Sequence, residues 1–185
     1  MTDHRLLTVR QPWAKPIVDG LKDRENRSSG FGTSYRGPLW IHAAAAWSDR
    51  GLVDPRIAGA YPDALRDGFR SAGFVLGAIL GRVEVVDAHH AHPGCCPPPW
   101  AETEYLDASG KTRTDLVHLA FANPRPMPPG FENLIVPGAL GLWRADRIDG
   151  LAEELDLALE VGFEDLIDRL GERWPDPEDE EVAPC

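Results

Sequence analysis

The chain has 185 residues, 43% hydrophobic and 26% charged, with three cysteines; that composition suits one globular domain and excludes a wholly disordered chain or a disulfide-stapled scaffold. The net charge of −11 is unevenly spread: residues 151–185 hold 13 acidic and 2 basic side chains, whereas residues 1–150 hold 17 of each. Residues 5–50 carry eight Lys/Arg against four Asp/Glu, so a compact anionic or nucleic-acid site is compatible with the charge.

No segment approaches the ~20 apolar residues of a membrane span. The apolar run behind Arg5 is too short for a secretory leader. The expected compartment is the cytoplasm, with no membrane partner.

Arg5–Arg10 (RLLTVR) reads as a short strand. Pro12 opens a brief helix in which Trp13, Ala14, Ile17 and Val18 share a face. Pro16 limits that helix, and Gly20 ends it. Lys22–Arg27 reads as an edge strand and residues 28–35 as a loop. Leu39–Ala43 alternates, with Leu39, Ile41 and Ala43 on one face and Trp40 and His42 on the other. Residues 47–72 contain Pro55, Gly59, Pro62 and Gly68 and suggest a broken helical insert. Phe74–Asp87 is the strongest strand signal, with Gly77 and Gly81 as candidate bulges or close approaches. Residues 88–115 form a long polar loop. Leu116–Phe121 is a strand, residues 123–130 are Pro-rich, and 134–136 with 139–147 supply the last strands. Leu151, Leu155, Ala158 and Leu159 make one amphipathic helical face; Phe163, Leu166, Ile167 and Leu170 make a second after Gly162. Many short strands with few helices suggest a small barrel or partly closed sheet.

The densest chemistry lies near the N-terminus. On a strand, Glu25 and Arg27 share a face, and Lys22 at the preceding turn can swing onto it. The chain has three lysines against sixteen arginines, so Lys22 suggests a need for an ammonium group. The plainer interpretation is a solvated edge strand whose ion pairs contribute about 0–1 kcal/mol each.

Six motifs in order now carry a resemblance. They are Gln11-Pro12-Trp13-Ala14; Gly20, Lys22, Glu25 and Arg27; Arg36-Gly37-Pro38-Leu39-Trp40-Ile41-His42-Ala43; Gly81-Arg82-Val83-Glu84-Val85-Val86-Asp87; Asn123-Pro124-Arg125; and Gly138-Ala139-Leu140-Gly141-Leu142-Trp143. Over residues 6–144 the chain resembles the ASCH (activating signal cointegrator homology) domain family of the PUA-like superfamily. The resemblance implies a mainly β, α+β fold: a PUA-like small β-barrel with flanking short helices. It implies an ASCH domain over 1–148, a C-terminal helical extension over 149–172 and an acidic tail over 173–185 expected to be disordered.

The resemblance also implies a cleft that binds RNA or a modified nucleoside or nucleotide through Arg10, Gln11, Trp13, Lys22, Glu25, Arg27 and Tyr35. Lys22 and Arg27 can hold a phosphate or polarise a carbonyl, Glu25 can accept a proton or an exocyclic amine, and Trp13, Tyr35 or Trp143 can stack a base. The alternative is an enzyme, an amidohydrolase acting on N4-acylated cytidine nucleosides or a ribonuclease, with Lys22 and Glu25 as its catalytic pair. Three departures stand out. The insert at residues 47–72, the loop at 88–115 and the C-terminal helices lie outside the resemblance. Deacylating relatives carry Thr where Glu25 stands, and the motif arginine, often followed by Ser-Trp, is here followed by Ser28-Ser29.

His89, His90, His92, Cys95 and Cys96 crowd into eight residues. His89-x2-His92-x2-Cys95 is sterically able to hold zinc, but no second ligand pair follows at finger-like distance. The expectation from sequence is therefore a ligand-free loop, with no metal and no cofactor. Trp40, Trp47 and Trp143 read as core, and His42 faces either cleft or solvent. The helical face within 151–170 is a candidate for a protein partner or self-association.

Overall fold

In a computed structural model of the chain, residues 3–171 are described, apart from 29, 30, 33, 108 and 133; side chains in the C-terminal helix are described through residue 162. The order is β1 (Arg5–Gln11), α1 (Ala14–Val18), β2 (Arg24–Ser28), β3 (Gly37–Trp47), α2 (Asp49–Leu52), α3 (Pro55–Ala60), α4 (Pro62–Asp67), β4 (Ala78–His90), β5 (Tyr105–Leu106), β6 (Thr112–Arg113), β7 (Leu116–Pro126), β8 (Leu134–Ile135), β9 (Leu142–Arg144) and α5 (Leu151–Gly171).

Six strands follow one another as β2-β7-β4-β3-β1-β9, and β8 adds to β4. The sheet is mixed: β1 runs parallel to β3, and the other neighbours are antiparallel. Among the described residues no ladder joins the terminal strands β2 and β9, so the sheet is open where a barrel was expected. One side chain ties β2 to β1. Arg27 Nη2 on β2 donates to the Thr8 carbonyl on β1 at 2.6 Å.

Period-2 alternation sorts apolar residues onto both faces. Leu7, Val9, Leu39, Ile41, Ala43, Val83, Val85 and Val117 bury one face against Ala14, Ile17 and Val18 of α1. Leu6, Trp40, Ile79 and Trp143 bury the other against Leu151, Ala152, Leu155 and Ala158 of α5. The alternation in Leu39–Ala43 is thus as expected, but both of its faces are core. The face of α5 offered for a partner packs inward on the sheet. Its helix runs unbroken through Gly162, where two segments were expected. The 163–170 face and the acidic tail lie outside the described residues.

His42 faces neither cleft nor solvent; it is 1% exposed. The Trp143 indole donates to Thr8 Oγ1 at 3.1 Å, Thr8 Oγ1 lies 3.2 Å from His42 Nδ1, and His42 Nε2 lies 3.0 Å from the Val136 carbonyl. The chain is satisfied when the imidazole is neutral, with its proton on Nε2. A Cβ at Gly138 would come within 2.6 Å of His42 and 2.9 Å of Thr8, so the backbone must pass here without a side chain.

β7 runs past the expected end at Phe121 into the Pro-rich segment, as far as Pro126. Arg125 and Pro126 pair with Arg82 and Gly81 after a register shift, and Asn123 adopts φ 51° at that irregularity. Pro126 lacks an N–H, and Met127 N–H bonds the Leu80 carbonyl instead, at 2.9 Å.

Two predictions follow from this packing. Gly81 has φ +155°, and a Cβ there would stand 2.2 Å from the Arg125 carbonyl oxygen. Gly81→Ala should lower unfolding free energy by about 3 kcal/mol in urea titrations, because backbone rather than a flexible side chain must move. Burial pulls the His42 pKa below its ordinary 6.5. The unfolded chain therefore binds the proton first, and the stability His42 contributes is present above 6.5 and lost as pH falls below it. The slope of unfolding free energy between about pH 7.5 and 5.5 should be shallower in His42→Asn than in wild type.

Candidate functional site

The start of β2 and the turn before it build the centre of the site. After α1 the chain folds back tightly: Leu21 and Lys22 N–H both bond the Pro16 carbonyl at 2.9 Å. That turn aims Lys22 inward, where its side chain is 3% exposed. Lys22 Nζ lies 2.6 Å from Glu25 Oε2 and also bonds the Arg24 carbonyl. Arg27 Nε stands 3.4 Å from the other oxygen, Glu25 Oε1. The expected trio therefore converges. It is a buried ion pair flanked by a partly exposed guanidinium, not a set of solvated surface pairs. Desolvation draws the Lys22 pKa down and the Glu25 carboxylate opposes the shift.

Gln11 is fully buried and occupied. Its amide donates to the Val75 carbonyl at 3.0 Å and accepts from Lys15 N–H at 3.1 Å, which pins α1 to the segment entering β4. Trp13 is half-buried, with its indole N–H on Ser48 Oγ at 3.1 Å. Arg10 is exposed at the end of β1. The Tyr35 hydroxyl donates to the Pro38 carbonyl. Trp143 is 1% exposed and presents no stacking face.

Sequence reasoning missed a second half of the site, supplied by the helical insert and the long loop. The Arg50 guanidinium lies 5.5 Å from the Trp13 ring and 5.0 Å from the Tyr105 ring. Arg56 lies 5.6 Å from Trp13 and 5.1 Å from Trp100. Both arginines meet the Glu102 carboxylate, Arg56 at 2.6 Å. Asp54 caps α3 and holds Arg56 with both carboxylate oxygens. Glu102 Oε2 is buried with no hydrogen-bond partner. An open cavity of about 620 Å³ is lined by Arg50, Arg56, Glu102 and Tyr105. Lys22 does not line it, but Glu102 is close enough to act on Lys22 electrostatically and so links the two halves.

The loop is seated by β2. Asn26 points away from Glu25 and Arg27, donates to the Trp100 carbonyl at 2.9 Å and accepts from Glu102 N–H at 3.1 Å. An amide side chain thus stands in for a strand partner on an exposed sheet edge. The Trp100 indole donates to the Leu21 carbonyl at 2.6 Å.

The ASCH domain family model matches residues 7–105. The chain belongs to the ASCH domain family. The match includes the insert and the start of the long loop, which the motif comparison left outside the resemblance, so Arg50, Arg56, Trp100 and Glu102 lie within the ASCH region. Among solved structures the chain is similar to a crystal structure of a ZmASCH mutant protein from Zymomonas mobilis, at 13% identity, TM-score 0.46, 83% coverage of this chain and 96% of that one. No curated protein matches it.

The ASCH ion pair gives a direct test. Lys22→Met leaves Glu25 buried beside a lost partner and should destabilise by about 3–5 kcal/mol; Glu25→Gln should act in the same direction. The double variant should lose less than the sum of the two. Additive losses in a denaturation cycle would show that the charges do not depend on each other.

Proposed function

We propose that this ASCH chain is a nucleotide-binding module that takes one or a few nucleotides of RNA, or a modified nucleotide, in the cleft between the helical insert and the long loop. The observation that carries this reading is the open cavity of about 620 Å³ lined by Arg50, Arg56 and Tyr105, with Trp13 and Trp100 packed behind the two guanidinium groups. That volume suits a small organic ligand. Guanidinium groups bind phosphate or carbonyl oxygens with directed paired N–H groups, and aromatic faces stack bases at about 1–3 kcal/mol each. Arg27, 5.7 Å from the Phe31 ring, offers a further guanidinium at the Lys22 end.

The charge balance supports a small site. With residues 1–150 electrically neutral, a long polyanion would gain little from nonspecific attraction. Lys22 and Glu25 then serve as a buried base that fixes Arg27 and the loop, rather than as groups that touch a ligand.

One observation favours the alternative, an amidohydrolase acting on N4-acylated cytidine nucleosides. Burial draws Lys22 toward the neutral amine, the form able to take a proton or attack a carbonyl. Against it, Lys22 Nζ is tied to two oxygens and almost fully enclosed.

Purified protein should bind short single-stranded RNA with an affinity that falls with salt and should not hydrolyse N4-acetylcytidine. Arg50→Ala should weaken RNA binding about tenfold and reduce the slope of log affinity against log salt by about 0.7 for a lost phosphate contact. Turnover of N4-acetylcytidine by the wild-type protein that disappears in a Lys22 variant whose circular dichroism shows it still folded would instead establish the hydrolase.

A further inference from the structure

The end of β4 and the start of β7 place His89 directly opposite His118. Their rings stand 5.4 Å apart. Beyond β4 the chain turns through Pro93-Gly94 and brings two adjacent cysteines back over this pair. Cys96 Sγ lies 3.3 Å from His89 Nε2, and Cys95 Sγ lies 3.3 Å from His118 Nδ1. All four ligand atoms fall within 4.8 Å of one another. In a tetrahedral zinc centre, with Zn–S about 2.3 Å and Zn–N about 2.0–2.1 Å, sulfur and nitrogen ligands stand about 3.5 Å apart.

The remaining ring nitrogens give a second, independent observation. His89 Nδ1 lies 2.6 Å from Asp87 Oδ2, and His118 Nε2 lies 2.8 Å from the Glu102 carbonyl. A carboxylate and a carbonyl only accept, so each ring donates there and turns its unprotonated nitrogen toward a cysteine sulfur. Histidines that ligate metals are oriented in this way, by an oxygen acceptor on the outer nitrogen.

We propose that His89, Cys95, Cys96 and His118 bind one zinc ion in a closed tetrahedral site. Two thiolates and two neutral imidazoles suit zinc by softness and geometry, and the thiolates balance the charge of the ion. Binding releases the two thiol protons to solvent. The Arg24 guanidinium stands beside Cys96 and adds a favourable positive charge next to its thiolate. The role is structural. The four ligands tie the long loop to β4 and β7, and the outer nitrogen of His118 holds the backbone of Glu102, whose carboxylate receives Arg50 and Arg56. The sequence reading weighed His92 as the partner of His89 and expected no metal. The fourth ligand is His118, a cross-strand neighbour that no local spacing reveals.

The full-length protein, produced in zinc-supplemented medium without a polyhistidine tag, tests this by elemental analysis after dialysis. The expected result is a single zinc ion per chain, retained in His90→Ala/His92→Ala and in Cys185→Ser, and lost in Cys95→Ser/Cys96→Ser. Cobalt added to the metal-free protein should give the intense visible bands of a tetrahedral ion and a sulfur-to-cobalt charge-transfer band. That spectrum of the wild-type chain decides the matter even if the cysteine variant fails to fold. A protein that retains no zinc and gives only the faint spectrum of solvated cobalt would overturn the proposal. So would zinc retained after loss of both cysteines, or a Cys95–Cys96 disulfide in freshly prepared protein.

Discussion

A lysine ammonium held out of water organises this molecule. Moving Lys22 from solvent into the sheet is unfavourable on its own, and its lowered pKa reports that penalty. The burial is tolerated because two oxygens meet Nζ at once, one from the Glu25 side chain and one from the Arg24 backbone. Those contacts leave β2 little freedom in how it approaches α1. With β2 so placed, Arg27 crosses to the Thr8 carbonyl and ties the terminal strand of an open sheet to its interior.

The same Thr8 links the two faces of the fold. Its carbonyl serves the site, while its hydroxyl sits between Trp143 and His42 in the core. A change in the packing of that buried chain therefore reaches β1 at the residue that anchors Arg27.

Local pattern exposed much of the sheet. Alternation along Leu39–Ala43 and the β-branched run in Val83–Val85 follow from the pleat itself, and the Lys22, Glu25 and Arg27 cluster was legible because all three lie within six residues. What escaped is tertiary. Arg50 and Arg56 read as ordinary charges on a broken helix, and only the fold brings them to Glu102, 52 and 46 residues away. Gln11 was given to the cleft from its motif, yet its amide is consumed by backbone groups at both ends. The strand was expected to end at Phe121, since a proline removes a ladder donor, but a register shift carries β7 on to Pro126.

The long loop shows how little regular structure a segment needs when its polar atoms are used well. Between β4 and β7 it has only a two-residue hairpin rung of its own. Its position is fixed from outside, by Asn26 on two backbone groups, by the Leu21 carbonyl on Trp100 and by His118 on Glu102. All of these contacts converge on residues 100–102, next to the side chains that wall the cavity. The loop is thus held by directed hydrogen bonds where it meets the cleft. A ligand entering there would find Arg50, Arg56 and Glu102 already oriented, and would lose less conformational entropy on binding than a mobile loop would demand.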